Sequence, residues 1–141
     1  MKGYVDSSAA LRAVFDEPGR IDEWGDVEPV ISSVLTRLEC LRAVDRRRAQ
    51  DRGTPDEISS HYAAIRSLLN GFDLVALDRV VLDRAALPLP LPLGSLDAIH
   101  LATALLWQES SGEPVAMVTH DPGLANAAIA CGLRVLGVPP R

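Results

Sequence analysis

Lys2-Gly3-Tyr4-Val5-Asp6, followed by Ser7-Ser8 and then Ala9-Ala10-Leu11-Arg12-Ala13-Val14-Phe15, is the stretch on which the fold turns. Tyr4 and Val5 are good strand residues, and the apolar run stops at Asp6. Ser7 and Ser8 can cap the helix that the alanine-rich segment predicts. A strand that feeds a helix through a tight turn points to a parallel α/β sheet. In such sheets ligands sit at the carboxyl ends of the strands. Asp6 is then either a plain helix cap or a carboxylate placed where chemistry happens. Its immediate neighbours do not decide between the two, and the positions of the other acids must.

Outward from that strand, helices and strands alternate. Pro18 suits the first position of a short helix through Trp24. Pro29-Val30-Ile31-Ser32 reads as a second strand, and Ser32 or Ser33 caps a helix running to about Gln50. Thr54-Pro55-Asp56-Glu57 is a capping box with proline at the first helical position. Ile58, Tyr62, Ile65 and Leu69 recur at helical spacing until Asn70-Gly71 ends the helix. Two consecutive antiparallel helices therefore separate the second strand from the third, Phe72–Leu77. Asp78 caps a helix to Leu87, and Leu87-Pro88-Leu89-Pro90-Leu91-Pro92-Leu93-Gly94 then forbids helix and favours a stiff, extended connector. A proline-rich partner motif is the other reading of that segment. Ser95 caps Leu96–Gln108, Val115–Thr119 is a fourth strand, and Asp121-Pro122 opens a last helix. Gly132 stops it before a fifth strand, Leu133–Leu136. No hairpin signal interrupts the alternation. The expectation is an α/β fold of three layers, with a mostly parallel five-stranded sheet and helices on both faces, forming a single domain over residues 1–141.

Composition narrows the function. With 48% hydrophobic and 23% charged residues the chain reads as soluble and globular, and at 4% aromatic its core must be built from Ala, Leu, Val and Ile. No apolar run reaches membrane-spanning length, and Asp6 and Arg12 interrupt any signal-peptide pattern. A net charge of −5 argues against nucleic-acid binding through the whole surface, but not against a local basic patch. Cys40 and Cys131 have no zinc or disulfide spacing and read as small core residues in a reducing cytoplasm.

Four carboxylates fall at the same end of the predicted sheet. Asp97 is four residues before Leu101 and begins the apolar face of its helix, where a charge is costly unless paired or metal-bound. Glu39 borders the Val34, Leu35, Leu38 and Leu41 stripe, and an ordinary surface ion pair with Arg42 is its alternative. Asp121 is a strong helix cap that also stands at a strand end. His100, beside Thr103 and Trp107, is expected at the polar edge of its helix, outside the site. Four converging acids either take up protons or hold cations. Hard ions with oxygen ligands fit, namely Mg2+ or Mn2+ completed by water and substrate phosphates. Such ions catalyse phosphodiester hydrolysis. Arg42, Arg46, Arg47, Arg48 and Arg52 continue the helix of Glu39 and are the candidate patch for the phosphates of a nucleic-acid substrate. A solvated helix end partly neutralised by Asp45 and Asp51 is the competing reading.

The ordered set of motifs resembles the PIN-domain ribonucleases, specifically the VapC-type toxins of bacterial toxin–antitoxin pairs. Tyr4-Val5-Asp6-Ser7-Ser8-Ala9 resembles the family's opening strand and turn, and Ser32-Ser33-Val34-Leu35-Thr36-Arg37-Leu38-Glu39 its second acidic motif. Leu96-Asp97-Ala98-Ile99-His100-Leu101-Ala102-Thr103-Ala104 is the most specific segment. Val118-Thr119-His120-Asp121-Pro122-Gly123-Leu124-Ala125-Asn126-Ala127-Ala128, closed by Gly132-Leu133, resembles the last. The resemblance implies that Asp6, Glu39, Asp97 and Asp121 are catalytic, metal-holding acids for Mg2+ or Mn2+. It also implies cytoplasmic endoribonuclease activity, a homodimer, and neutralisation by a small VapB-type antitoxin. Asn126 stands where a further acid could follow.

Other Mg2+-binding α/β domains fit less well. Lys2 is the only lysine, so the lysine of a response receiver near the last strand is missing. Asp6-Ser7-Ser8 lacks the second aspartate of a haloacid-dehalogenase-type phosphatase, and no glycine-rich phosphate loop with a lysine follows the first strand. The alternative of another class is a non-catalytic metal- or RNA-binding module that docks a protein partner.

Overall fold

The computed structural model describes residues 1–15 and 26–138. Eleven elements follow in the order β1 (Gly3–Val5), α1 (Ser7–Phe15), β2 (Val30–Ser33), α2 (Val34–Ala49), α3 (Pro55–Asn70), β3 (Asp73–Val75), α4 (Arg79–Ala85), α5 (Ser95–Ser111), β4 (Ala116–Val118), α6 (Pro122–Ala130) and β5 (Arg134–Leu136). The short helix expected between Pro18 and Trp24 lies outside the described residues.

Local chemistry sets most boundaries. Ser33 is the cap of α2, its Oγ accepting from Leu35 N at 3.0 Å. Thr54 and Glu57 form the expected capping box of α3, and Asp78 and Asp121 cap α4 and α6 through their carboxylates. Two caps differ from the sequence reading. Ser7 is already helical, because Asp6 Oδ1 accepts from Ala9 N at 3.0 Å and takes the capping role itself. Ser95 is likewise inside α5, which Gly94 precedes without any side-chain cap.

All five strands are parallel, in the order β3-β2-β1-β4-β5. β1 is central, with Tyr4 opposite Ile31 on one side and Met117 on the other. A Cβ at Gly3 would collide with Val27 Cγ1, so only glycine lets the strand lie this close to the segment before β2. Alternate strand residues enter different cores, as the pleat requires. Tyr4, Ile31 and Met117 pack with Leu101, Leu105, Leu124 and Ala128 of α5 and α6. Val5 and Val118 pack with Ala9, Val44, Ile58 and Ile65 of α1, α2 and α3. Helices therefore cover both faces of the sheet, giving the three-layer α/β fold. The chain leaves β1 toward β2 and β3, then crosses back to place β4 on the opposite side of β1. The gap between the carboxyl ends of β1 and β4 is thus the switch point of the sheet, where open α/β folds bind ligands.

Both cysteines are free thiols. Cys40 is buried, and burial above all, with the charges of Glu39 and Asp6, pushes its thiol up to about 12. No helix among the described residues is long and apolar enough to cross a membrane.

Candidate active site

Asp6 ends β1 at the switch point and is only 3% exposed. Its Oδ1 accepts from Ser8 Oγ at 2.7 Å as well as from Ala9 N, and its Oδ2 accepts from Thr119 Oγ1 at 2.5 Å. Burial raises the carboxyl above the ordinary aspartate range, while those three hydrogen bonds and His100 act the other way. Ser8 and Thr119 knit the two strand ends together. Ser8 Oγ also accepts from His120 N at 2.9 Å, and Thr119 Oγ1 from Asp121 N at 3.0 Å. Asp6 is therefore both cap and candidate site acid.

Asp121 spends Oδ1 on the cap of α6, accepting from Leu124 N at 2.9 Å. Its carboxylate remains partly exposed beside the strand-four end. His120 next to it is buried, and its imidazole is pushed down first by burial and then by the Arg12 cation, against the pull of Asp6.

Asp97 lies in the first turn of α5, half-buried, with no hydrogen bond or ion pair to any described residue. Its carboxyl is raised by burial, then by the negative charge of Asp121, with Asp6 and Glu39 adding to the effect and His100 opposing it. The four acids and His100 thus share one electrostatic neighbourhood. Asp97 stands at the edge of a buried run, since every residue from Ala98 to Leu105 is buried.

Glu39 does not pair with Arg42. Arg42 Nη1 and Arg48 Nη2 both bind Asp45, each at 2.9 Å. Glu39 Oε1 instead meets His100 Nε2 at 2.6 Å, and Tyr4 Oη lies 2.7 Å from His100 Nδ1. His100 is 1% exposed, not at a polar helix edge as its neighbours Thr103 and Trp107 suggest. The sequence signal was present in its spacing, one turn after Asp97, but α5 is buried all round and offers no polar edge. Burial raises the Tyr4 phenol far above its usual range, and the charges of Asp6 and Glu39 raise it further, with Thr36 and Ser32 opposing.

The candidate basic patch is only partly available. Besides the two arginines on Asp45, Arg47 stacks on the Phe15 ring with its guanidinium carbon 3.7 Å from the centroid. Arg46 is exposed, and with Arg42 and Glu39 it lines a groove of 380 Å³ whose apolar wall includes Leu11, Leu38 and Leu96.

The donor set is all carboxylate oxygen, which suits Mg2+ or Mn2+ and not zinc. Among the described residues, no three Asp, Glu, His or Cys side chains stand close enough together to form a ready-made cage. Asp97, without a partner among the described residues and made costly first by burial and then by the other acids, is the group such a divalent ion would relieve.

Comparison with known proteins identifies the family and the fold. The PIN domain family profile matches residues 3–130. The chain is 35% identical over 136 residues to Ribonuclease VapC46 of Mycobacterium tuberculosis, covering 94% of this chain and 95% of that protein. It is 33% identical to Ribonuclease VapC47 of the same species, covering 87% of each. A toxin–antitoxin complex from Klebsiella pneumoniae superposes with a TM-score of 0.63 at 17% identity, over 90% of both chains. PAE2754 from Pyrobaculum aerophilum superposes at 0.59 and 20% identity, over 90% of this chain and 84% of that one, which again speaks to the fold.

Proposed function

The chain belongs to the PIN-domain family and to its VapC-type ribonucleases, and from that premise we propose that it is a Mg2+- or Mn2+-dependent endoribonuclease acting as the toxin of a toxin–antitoxin pair. Asp6, Glu39, Asp97 and Asp121 would hold the ion. The observation that carries this reading is Asp97, a half-buried carboxylate in the first turn of α5 with no partner among the described residues, raised first by burial and then by the charges of Asp121, Asp6 and Glu39. When bound there, a divalent ion would polarise the phosphodiester, make water a better nucleophile and neutralise the leaving oxygen.

The chain's own residues do the positioning. Ser8 and Thr119 donate to Asp6 and so favour its charged form, against the larger opposing effect of burial. Asp121 is anchored at one oxygen by its cap, which leaves the other for the crevice. Arg46, beside Glu39 in the groove, is placed to take a substrate phosphate, with Arg42, Arg47 and Arg48 as a weaker patch behind it. The apolar wall of that groove is where a VapB-type antitoxin would lie, shutting RNA out. A homodimer would cover exposed Val80 and Leu82 of α4 with Leu87 and Leu91 of the connector. The compartment would be the cytoplasm, where RNA and reduced thiols coexist.

The test is cleavage of a defined RNA by the purified chain. Chelation with EDTA abolishes cleavage and Mg2+ or Mn2+ restores it. Undiminished cleavage in chelator refutes metal dependence, and binding without turnover under every ion makes the chain a non-catalytic RNA-binding module.

A further inference from the structure

We propose that Tyr4 and His100 are positioning residues for Glu39. Together they form a buried strut from β1 through α5 that fixes one oxygen of the Glu39 carboxylate and leaves the other for a divalent ion. The inference rests on the ion-binding reading above and adds the means by which one of its acids is aimed.

Glu39 needs such a device. It stands on α2, about a quarter exposed, at the end of a side chain with three rotatable bonds. Nothing on its own helix holds it, because Arg42 and Arg48 are both engaged by Asp45. A ligand that must be ordered at the moment of binding binds more weakly than one already in place. His100 supplies the order. Its Nε2–H donates to Glu39 Oε1 at 2.6 Å, and in the neutral ring Tyr4 O–H donates to Nδ1 at 2.7 Å. The two rings meet edge to face, with centroids 5.8 Å apart and planes at 63°.

The strut is rooted in the rigid centre of the molecule. Tyr4 is fully buried in the central strand, two residues before Asp6. Around its oxygen, Ser32 Oγ bonds Val5 O and Thr36 Oγ1, joining β1, β2 and the start of α2. His100 follows Asp97 by one helical turn. Helix α5 thus carries one acid itself and grips a second through His100. A partner that orients a metal-holding group from behind typically changes metal affinity when removed. The competing account is a core histidine that merely satisfies its own nitrogens.

Mn2+ affinity of the full chain, measured by calorimetry and by the spin-resonance signal of bound Mn2+, separates the two. His100→Leu should weaken Mn2+ binding by about 10–100-fold. His100→Gln, whose amide keeps an N–H for Glu39, should recover part of that loss, and Tyr4→Phe should weaken binding by less. In a Glu39→Gln background, His100→Leu should cost nothing more, because the strut then has no carboxylate to aim. If Glu39→Gln weakens Mn2+ binding while Tyr4→Phe and His100→Leu bind as wild type, the strut is overturned and the ion site stands. If Glu39→Gln itself binds Mn2+ as tightly as wild type, the ion-site assignment fails and the strut falls with it. Should His100→Leu not fold, Tyr4→Phe decides alone, since it removes one oxygen and keeps the ring.

Discussion

Asp97→Asn should stabilise the ion-free protein while destroying its activity. The carboxyl is half-buried and unpartnered, and burial followed by Asp121, Asp6 and Glu39 raises it above the ordinary aspartate value. A raised folded-state value means that the native chain holds this proton more tightly than the unfolded chain. Ionised Asp97 therefore costs stability, in full above its folded value, and the cost fades as pH falls to the unfolded value near 4. Two unit charges about 7 Å apart at an effective dielectric near 20 repel by roughly 2 kcal/mol. Because much of the Asp97 side chain faces water, screening reduces the gain on neutralisation to ~0.5–1 kcal/mol. For a chain of this length that is roughly 2–4 °C in the melting midpoint. Thermal melts in EDTA across pH should show the variant above wild type near neutrality and level with it by about pH 4. Saturating Mn2+ should reverse the order, because the ion then stabilises wild type more than the variant. A variant that melts several degrees below wild type in EDTA would refute the reasoning, since the charge would then be serving the fold. So would a variant that cleaves RNA at the wild-type rate.

Arg46→Ala should weaken RNA binding and lower the salt slope by about one without moving the melting point, whereas Arg47→Ala should cost ~0.5–1 kcal/mol of stability through its lost stacking on Phe15. Salt-dependent binding isotherms beside urea melts check both, and an unchanged slope in Arg46→Ala removes it from the RNA face. Thr119→Val, nearly the same in volume, strips a donor from Asp6 and an acceptor from the Asp121 N–H. It should cost roughly 1–3 kcal/mol in a denaturant titration. An unchanged midpoint would mean that water replaces both bonds.

Where the chain's own short-range chemistry decides, the sequence was easily read. Thr54, Asp78 and Asp121 cap their helices because a cap needs only the next three residues. The alternation of strands and helices likewise made a parallel sheet the economical solution. The strand order was not legible, since β1 meets β4 only through a crossover that no local pattern records. His100 was misplaced for a related reason. Helical periodicity sorts residues into two faces, and α5 has no solvent face along its buried run. The alternative reading of Glu39, an ion pair with Arg42, fell to a choice between two acids. Asp45 lies within one turn of both Arg42 and Arg48 and takes both, which sends Glu39 inward to the imidazole. Asp6 posed its two roles as rivals, and the geometry shows the cap through Oδ1 while leaving the carboxylate at the switch point of the sheet.

The central place of β1 bears on how the protein is born. Val5 pairs with Val118, so β1 waits for roughly a hundred further residues to be made before its second neighbour exists. At translation rates of about 5–20 residues per second, that wait is on the order of 5–20 s. Throughout it, Asp6 lacks Thr119 and the acid set lacks Asp121. A nascent or prematurely terminated chain stopped before β4 consequently carries three of the four candidate acids, Asp6, Glu39 and Asp97, without the strand that would frame them. On the proposed function, the cell that makes this nuclease is exposed to it only once translation has passed β4.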